Sequence, residues 1–165
     1  MPGPHAEARY RAKLYAERNE LIIEGELGAG FDGVVLRTKS RSAIKAFRYA
    51  ELYRSELAVY FRLQEHNVGK LLGFAVPEII RHDESLWVLE MEIVRPPFIV
   101  DFAAASVDNP RSTSDYDLEA WEAEKQEQFE EHWPTVQDII REFRKFGIYL
   151  NDVNPNNIVF ENSPL

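Results

Sequence analysis

The chain contains no cysteine, which excludes disulfide bonds and thiolate metal sites. It also has no apolar run near the roughly 18 residues that a membrane-spanning helix needs. The first residues, MPGPHAEARYRAK, are charged and lack the apolar core of a signal peptide. The four histidines are too scattered to suggest a metal site by their spacing. We therefore expect a cytoplasmic protein without membrane contact.

The chain also has fewer basic than acidic residues, with 19 Lys and Arg against 28 Asp and Glu, which gives a net charge of −9. This balance argues against binding to nucleic acids or to anionic membranes. The 165 residues are 45% hydrophobic and 12% aromatic, which is enough for a globular protein with a buried core.

The first half of the chain alternates helix-like and strand-like segments. A charged, Ala-rich stretch at 6–19 and a second stretch at 50–65 predict helices. Runs rich in Val and Ile, separated by breaks that contain Gly or Ser, predict strands at 21–27, 33–38 and 42–49. Two further strands are predicted at 73–80 and 85–94, with a turn at 82–84 between them. Pro77 indicates that the first of these is an edge or bulged strand.

The second half is predicted to be mainly helical. An acidic helix at 117–132 has a narrow apolar seam of Leu118, Trp121 and Phe129. Its charge is typical of a solvated face, and the alternative is a docking surface for a basic protein partner. A better-formed helix begins at Pro134 and ends before Gly147. Its apolar residues recur with helical spacing at Val136, Ile139, Ile140 and Phe143.

Residues 28–35, GAGFDGVV, match the pattern G-x-G-x-x-G-x-V. A dinucleotide-binding turn shares these glycines, but there a helix follows, whereas here the chain continues as strand, turn and strand. A glycine loop between antiparallel strands can fold over phosphate groups, because its backbone N–H groups are not screened by Cβ atoms. The alternative is a glycine-rich hairpin that binds no ligand.

Glu56 lies on the apolar stripe of the helix at 50–65, together with Leu52, Val59 and Leu63. A carboxylate on a core-facing stripe needs a cationic partner, since an unpaired buried charge is costly. Lys45, in the preceding strand, is the predicted partner. Two alternatives stay open: Glu56 lies at the rim of the helix face, or Glu51 in the first turn pairs with Lys45 instead.

Near the end of the chain, Asp152 and Asn157 form a D-x-x-P-x-N spacing around Pro155, followed by a strand-like run at 158–160. The sequence resembles the protein-kinase-like superfamily, because several motifs occur in the order typical of that superfamily. These motifs are the glycine loop, the A-I-K of residues 43–45, Glu56, the WVLEMEIV strand and Asp152…Asn157. That superfamily includes the eukaryotic-type protein kinases and the aminoglycoside-phosphotransferase-like enzymes. The resemblance spans roughly residues 21 to 160.

The resemblance implies an α+β fold of one kinase-like domain over residues 1–165. A five-stranded antiparallel N-lobe sheet with one αC-type helix would occupy 21–95, after a helical extension at 1–20. A reduced, mainly helical C-lobe would occupy 96–165.

The resemblance also implies an ATP site with possible Mg²⁺. Gly28, Gly30 and Gly33 would cover the phosphates, and Val35 and Ala43 would sandwich the adenine. Met91 would be the gatekeeper, and the backbone of Glu92–Val94 would be the hinge that binds the adenine.

Lys45 would hold the α- and β-phosphates and Glu56 would orient it. Asp152 would accept the proton of an unknown hydroxyl substrate, and Asn157 would be a magnesium ligand.

Three departures from the family pattern bear on activity. Leu150-Asn151-Asp152 replaces H-R-D, and Asn154 stands where protein kinases have a lysine. The D-F-G aspartate that binds the metal is missing from the printed sequence, and Glu161 is a weak substitute for it. These departures leave three interpretations: a compact phosphotransferase, a catalytically inactive pseudokinase-type regulatory module, or a non-nucleotide interaction domain that uses the acidic helix.

Overall fold

A computed structural model of the protein describes residues 3–110 and 118–161. The helices in these residues are α1 (Ala6–Arg18), α2 (Ala50–Glu65), α3 (Leu118–Phe129) and α4 (Trp133–Lys145). The strands are β1 (Ile23–Ala29), β2 (Gly33–Thr38), β3 (Ser42–Phe47), β4 (Lys70–Leu71), β5 (Phe74–Ala75), β6 (Ile79–Asp83), β7 (Val88–Glu92), β8 (Phe98–Ile99), β9 (Ser106–Val107), β10 (Ile148–Tyr149) and β11 (Ile158–Val159).

The chain divides into two compact units. The first comprises the residues up to Leu57 together with Pro77–Ile93, and the second comprises Ala58–Val76 and the chain from Val94 onward. The predicted N-lobe at 21–95 and C-lobe at 96–165 stay predictions.

The first unit is built on a five-stranded antiparallel sheet with the strand order β1-β2-β3-β7-β6. The predicted α+β class with a five-stranded antiparallel sheet is therefore confirmed. Every residue of β3 is buried, as expected for the central strand of a sheet that is covered on both faces.

The predicted strand at 73–80 is wrong in its bounds, whereas the predicted edge or bulged strand is confirmed by β6, which lies at an edge of the sheet and has a register shift between Ile79 and Arg81. Residues Phe74–Ala75 form β5 in the second unit, and the edge strand of the first unit is β6. Pro77 separates β5 from β6 because it has no N–H to continue a strand ladder. The predicted turn at 82–84 is also shifted toward the C-terminus. Asp83 is the last residue of β6, and its carboxylate accepts hydrogen bonds from the Ser85 hydroxyl and from the Leu86 amide, so the turn begins after Asp83.

Helix α1 packs on one face of the sheet, where its small side chains meet the apolar side chains of β2, β3 and β7. This core consists of Ala8, Ala12, Tyr15, Ala16, Val34, Leu36, Ile44, Ala46, Leu86 and Val88. Arg11 fastens the helix to the sheet by donating to the carbonyl oxygens of Leu86 and Phe47, each at 2.6 Å. The predicted N-terminal helix is thus confirmed, and it is an integral part of the first unit.

Glu90, in the middle of β7, is a buried carboxylate that sequence reasoning did not single out. It accepts hydrogen bonds at 2.8 Å from Tyr15 of α1, Ser42 of β3 and Arg81 of β6. Burial acts to raise the pKa of Glu90, but the hydrogen bonds from Arg81, Ser42 and Tyr15 outweigh it, so the pKa lies below its ordinary value. One carboxylate therefore joins three elements of the first unit.

The second unit has its apolar core around α4. Val136, Ile139 and Phe143 of this helix are fully buried and Ile140 nearly so, which confirms the predicted amphipathic helix. Two small sheets, with the strand orders β11-β8-β5-β4 and β10-β9, lie in the same unit. Among the described residues, no helix is both long and apolar enough to cross a membrane.

The acidic helix predicted at 117–132 is shorter than expected. Helix α3 ends at Phe129, a 3-10 turn follows at Glu130–His132, and Asp117 lies outside the described residues. Two members of the predicted seam do pack inward, since Phe129 is buried and Trp121 makes an edge contact with Trp133. Leu118, the third, is 58% exposed and was wrongly assigned to the seam.

The buried Glu90 predicts a pH-dependent stability. Its lowered pKa means that the unfolded chain binds more protons than the folded one as the pH falls through the ordinary glutamate range, near about pH 4. The stabilisation by Glu90 is present above that range and is lost as the pH falls through the lower, folded-state pKa. We expect the free energy of unfolding, measured by urea denaturation at a series of pH values, to fall on acidification.

Glu90→Gln should lower the stability at neutral pH and make this fall shallower. Glu17→Gln, at an exposed position of α1, is the matched control and should leave the curve unchanged. If the free energies of unfolding of Glu90→Gln and the wild type fell in parallel with decreasing pH, the contribution assigned to Glu90 would be contradicted.

Candidate functional site

The glycine loop joins β1 and β2 as an antiparallel hairpin, as predicted. A Cβ atom added at Gly28 would meet nothing within 4 Å, and one added at Gly30 would make only an ordinary contact with Asp32 at 3.5 Å. Gly33 differs, because its Cβ would lie 2.0 Å from the carbonyl oxygen of Ala46 on β3. Gly33 is thus required for the close approach of the loop to β3, and the first two glycines keep the loop backbone open.

Lys45 and Glu56 meet in the first unit, which confirms the predicted ion pair. The Lys45 Nζ lies 2.9 Å from Oε2 of Glu56 and donates a hydrogen bond to Oε1 at 3.3 Å. Their side chains are 6% and 1% exposed, so the pair is buried. Both alternatives are thereby excluded: Glu56 does not lie at the rim of the helix face, and Glu51 is exposed.

Asp32, the fifth residue of the glycine loop, completes an ionic triad that sequence reasoning missed. Its Oδ2 lies 2.9 Å from the Lys45 Nζ, and its side chain is 21% exposed. The ammonium group is therefore held between a carboxylate from α2 and another from the loop. The only signal in the sequence was an acidic residue between two glycines, and that pattern does not reveal that the loop folds back toward Lys45.

Four predicted site residues share one face of the sheet. Val35 of β2 is the cross-strand partner of Lys45, and Ala43 of β3 is the partner of Met91 on β7. Because side chains alternate along a strand, Ala43 and Lys45 project from the same face, with Val35 and Met91 beside them. Ala43 and Met91 are buried, so an apolar surface adjoins the lysine.

The two predicted hinge residues fall in different units. Glu92 ends β7 in the first unit, and its amide donates to the Glu78 carbonyl oxygen at 3.0 Å. Val94 belongs to the second unit, where it is half-buried.

In the second unit, Asp152 is exposed and held by two asparagines. Asn154 Nδ2 donates to Oδ1 of Asp152 at 3.0 Å. Asn157 Nδ2 donates to the backbone oxygen of Asp152 at 3.0 Å and lies 3.5 Å from Oδ2. Asn157 is buried, and its backbone carbonyl oxygen accepts a hydrogen bond from the Val100 amide at 2.9 Å. The loop thus presents one oriented carboxylate to solvent.

The donor set in this loop does not fit a magnesium site made by the protein alone. Mg²⁺ prefers one or two carboxylates together with phosphate oxygens. Asn157 offers a neutral amide whose nitrogen is turned toward Asp152, and Glu161 is exposed. Within residues 3–110 and 118–161, no three His, Asp or Glu side chains cluster as metal ligands.

The chain matches no family model, no curated protein and no solved structure.

The ionic triad makes a stability prediction. Lys45→Met removes the cation that pairs with Glu56 and Asp32, and breaking a buried ion pair from one side costs about 3–5 kcal/mol. We expect a loss of this size in the free energy of unfolding, measured by urea denaturation. The double variant Lys45→Met/Glu56→Gln should be more stable than Lys45→Met, because it no longer buries a carboxylate without its cation.

Arg37→Met is the matched control, since it removes a positive charge from the exposed ion pair with Glu24 on the same sheet. It should cost less than about 1 kcal/mol. If the losses in unfolding free energy caused by Lys45→Met alone and by Glu56→Gln alone summed to the loss in the double variant, the ion pair between the two side chains would be contradicted.

Proposed function

We propose that the chain is an ATP-binding protein of the protein-kinase-like fold, in which Lys45 holds the phosphates of the nucleotide. The observation that carries this proposal is the buried pair of Lys45 and Glu56 beside the glycine loop. A lysine in the interior of a sheet costs free energy unless it is neutralised. An ammonium that an ion pair fixes beneath a glycine loop is suited to bind a polyphosphate.

The glycine loop supports the phosphate part of the proposal. Gly28 and Gly30 leave space where side chains would stand, so phosphate oxygens can approach the loop backbone closely. The Gly30 amide itself donates to the Gly33 carbonyl oxygen, so it is not among the donors that the proposal assigns to the phosphates. Gly33 holds the loop against β3, the strand that carries Lys45.

The sheet face beside Lys45 supports the adenine part. Val35, Ala43 and Met91 offer an apolar surface on the same face as the ammonium, and an apolar surface with a few polar groups is typical of small-molecule sites. In the proposal the adenine lies against these residues, and the backbone of Glu92 at the end of β7 supplies a polar contact.

ATP binding should raise the melting temperature, because a ligand that binds only the folded state stabilises it by mass action. We expect a rise with ATP in a thermal-shift titration of the wild type. The rise should be lost in Lys45→Met/Glu56→Gln, which removes the ammonium while leaving its buried neighbour uncharged.

Arg37→Met removes one positive charge from the exposed part of the same sheet and should keep the rise. An equal rise in all three proteins would contradict a nucleotide site at Lys45, and so would the absence of a rise in the wild type.

A second candidate function, phosphate transfer to a hydroxyl, is favoured by the orientation of Asp152. Asn154 donates to its carboxylate, and Asn157 holds its backbone, so the carboxylate is directed before any substrate arrives. In the proposal, Asp152 accepts the proton of a hydroxyl whose oxygen forms a bond to the γ-phosphorus of ATP. The bond from that phosphorus to the bridging oxygen breaks, and ADP leaves. The acceptor can be water or an alcohol.

Removing the carboxylate should separate binding from transfer. Asp152→Asn should keep the thermal shift with ATP and lower phosphate release from ATP at least about 100-fold, since general base catalysis contributes about 10²–10⁴-fold. Asp138→Asn, an acid-to-amide change on α4 of the same unit, should leave release unchanged. Equal release by Asp152→Asn and the wild type would exclude Asp152 as the base.

A further inference from the structure

The Lys45 ammonium already has an anion in contact with it, and that anion comes from the glycine loop. The Asp32 Oδ2 lies 2.9 Å from Nζ, the same distance as the Glu56 Oε2 on α2. One cation between two carboxylates leaves this triad with a formal charge of −1. A phosphate brought to the same ammonium would meet both the occupied position and the excess negative charge.

The backbone of the loop directs Asp32 to this position. The Arg48 amide, one residue beyond β3, donates to the Asp32 carbonyl oxygen at 2.8 Å, and the Gly30 amide donates to the Gly33 carbonyl oxygen at 2.9 Å. Gly33 lies so close to Ala46 that no larger residue fits there. Two backbone hydrogen bonds and one close contact therefore set the height of Asp32 above β3.

The residue before Asp32 is fastened as well. Phe31 is 73% exposed, yet the guanidinium of Arg48 lies 5.8 Å from its ring centroid and 5.3 Å from that of Tyr49. Arg48 thus contacts the loop through its backbone and its side chain. The loop is held closed over Lys45 from the end of β3.

We infer that Asp32 is a self-blocking anion that competes with phosphate for the Lys45 ammonium. This rests on the proposed function, since it takes phosphate as the ligand of Lys45. A ligand with a single weak negative charge does not gain enough to displace a tethered carboxylate. A polyphosphate carries several charges, so its attraction to the ammonium is larger. Asp32 therefore sets both the affinity of the site and its preference for polyphosphates over monoanions.

The first test compares ATP affinity by calorimetry in the wild type and in Asp32→Asn, which keeps the shape of the side chain and removes its charge. We expect the dissociation constant to fall at least about tenfold, since a charge in contact with the ammonium is replaced by a dipole. Glu24→Gln, on β1 of the same sheet, removes an equal charge at an exposed site. It should change the dissociation constant less than about threefold. Asp32→Ser is a second variant with the same expectation.

The second test uses a phosphate-bearing amine reagent, so that it does not depend on ATP. Pyridoxal 5′-phosphate is reduced onto lysines with borohydride, and the modified peptide that contains Lys45 is quantified by mass spectrometry. We expect several-fold more label on Lys45 in Asp32→Asn than in the wild type or in Glu24→Gln, with equal labelling of Lys13 on the exposed side of α1 in all three.

The two readouts separate the inference from the proposed function. Tighter ATP binding together with more label in Asp32→Asn supports both. ATP binding that is equal in Asp32→Asn and the wild type, with equal label, overturns the inference and leaves the ATP site standing. More label without ATP binding in either protein keeps the block on Lys45 and overturns the proposed function. If neither protein binds ATP and the label on Lys45 is equal in both, the inference and the proposed function are both overturned.

Discussion

The first unit depends on a single ammonium group that is neutralised inside the protein. Lys45 lies on a strand whose residues are all buried, and its charge is balanced by Glu56 from α2 and Asp32 from the glycine loop. Since an isolated buried charge is strongly unfavourable, sheet, helix and loop must all take the positions that bring these groups together. The same requirement that orders the fold here also places the Asp32 carboxylate against the ammonium.

The opposite face of the same sheet carries the reverse arrangement. There the buried charge is the carboxylate of Glu90, and it is satisfied by Arg81, Ser42 and Tyr15. One face is thus tied to α2 through a lysine, and the other is tied to α1 through a glutamate. Fully satisfied polar groups of this kind favour one strand register and one helix position over alternatives that leave them unpaired. The apolar core alone does not impose such a choice.

In the second unit, the Asp152 loop is ordered by shorter-range interactions. Asn154 and Asn157 follow Asp152 by two and five residues, and both donate hydrogen bonds to it. The sequence spacing therefore contains most of this geometry, because asparagine side chains readily bond to nearby chain. The ionic triad of the first unit draws its members from positions 32, 45 and 56, and its geometry exists only once three elements have packed.

Local sequence patterns were sufficient to predict four features: the bounds of α2, the buried face of α4, the hairpin of the glycine loop and the need of Glu56 for a cation. Neighbouring residues carry these features, so they can be read locally. Tertiary structure alone decided that Asp32 reaches Lys45, that Glu90 accepts from three other elements, and that the stretch at 73–83 divides between two sheets. These outcomes depend on partners far away in the chain, and an acidic residue in a loop or strand has the same local pattern whether it meets water or a buried ammonium.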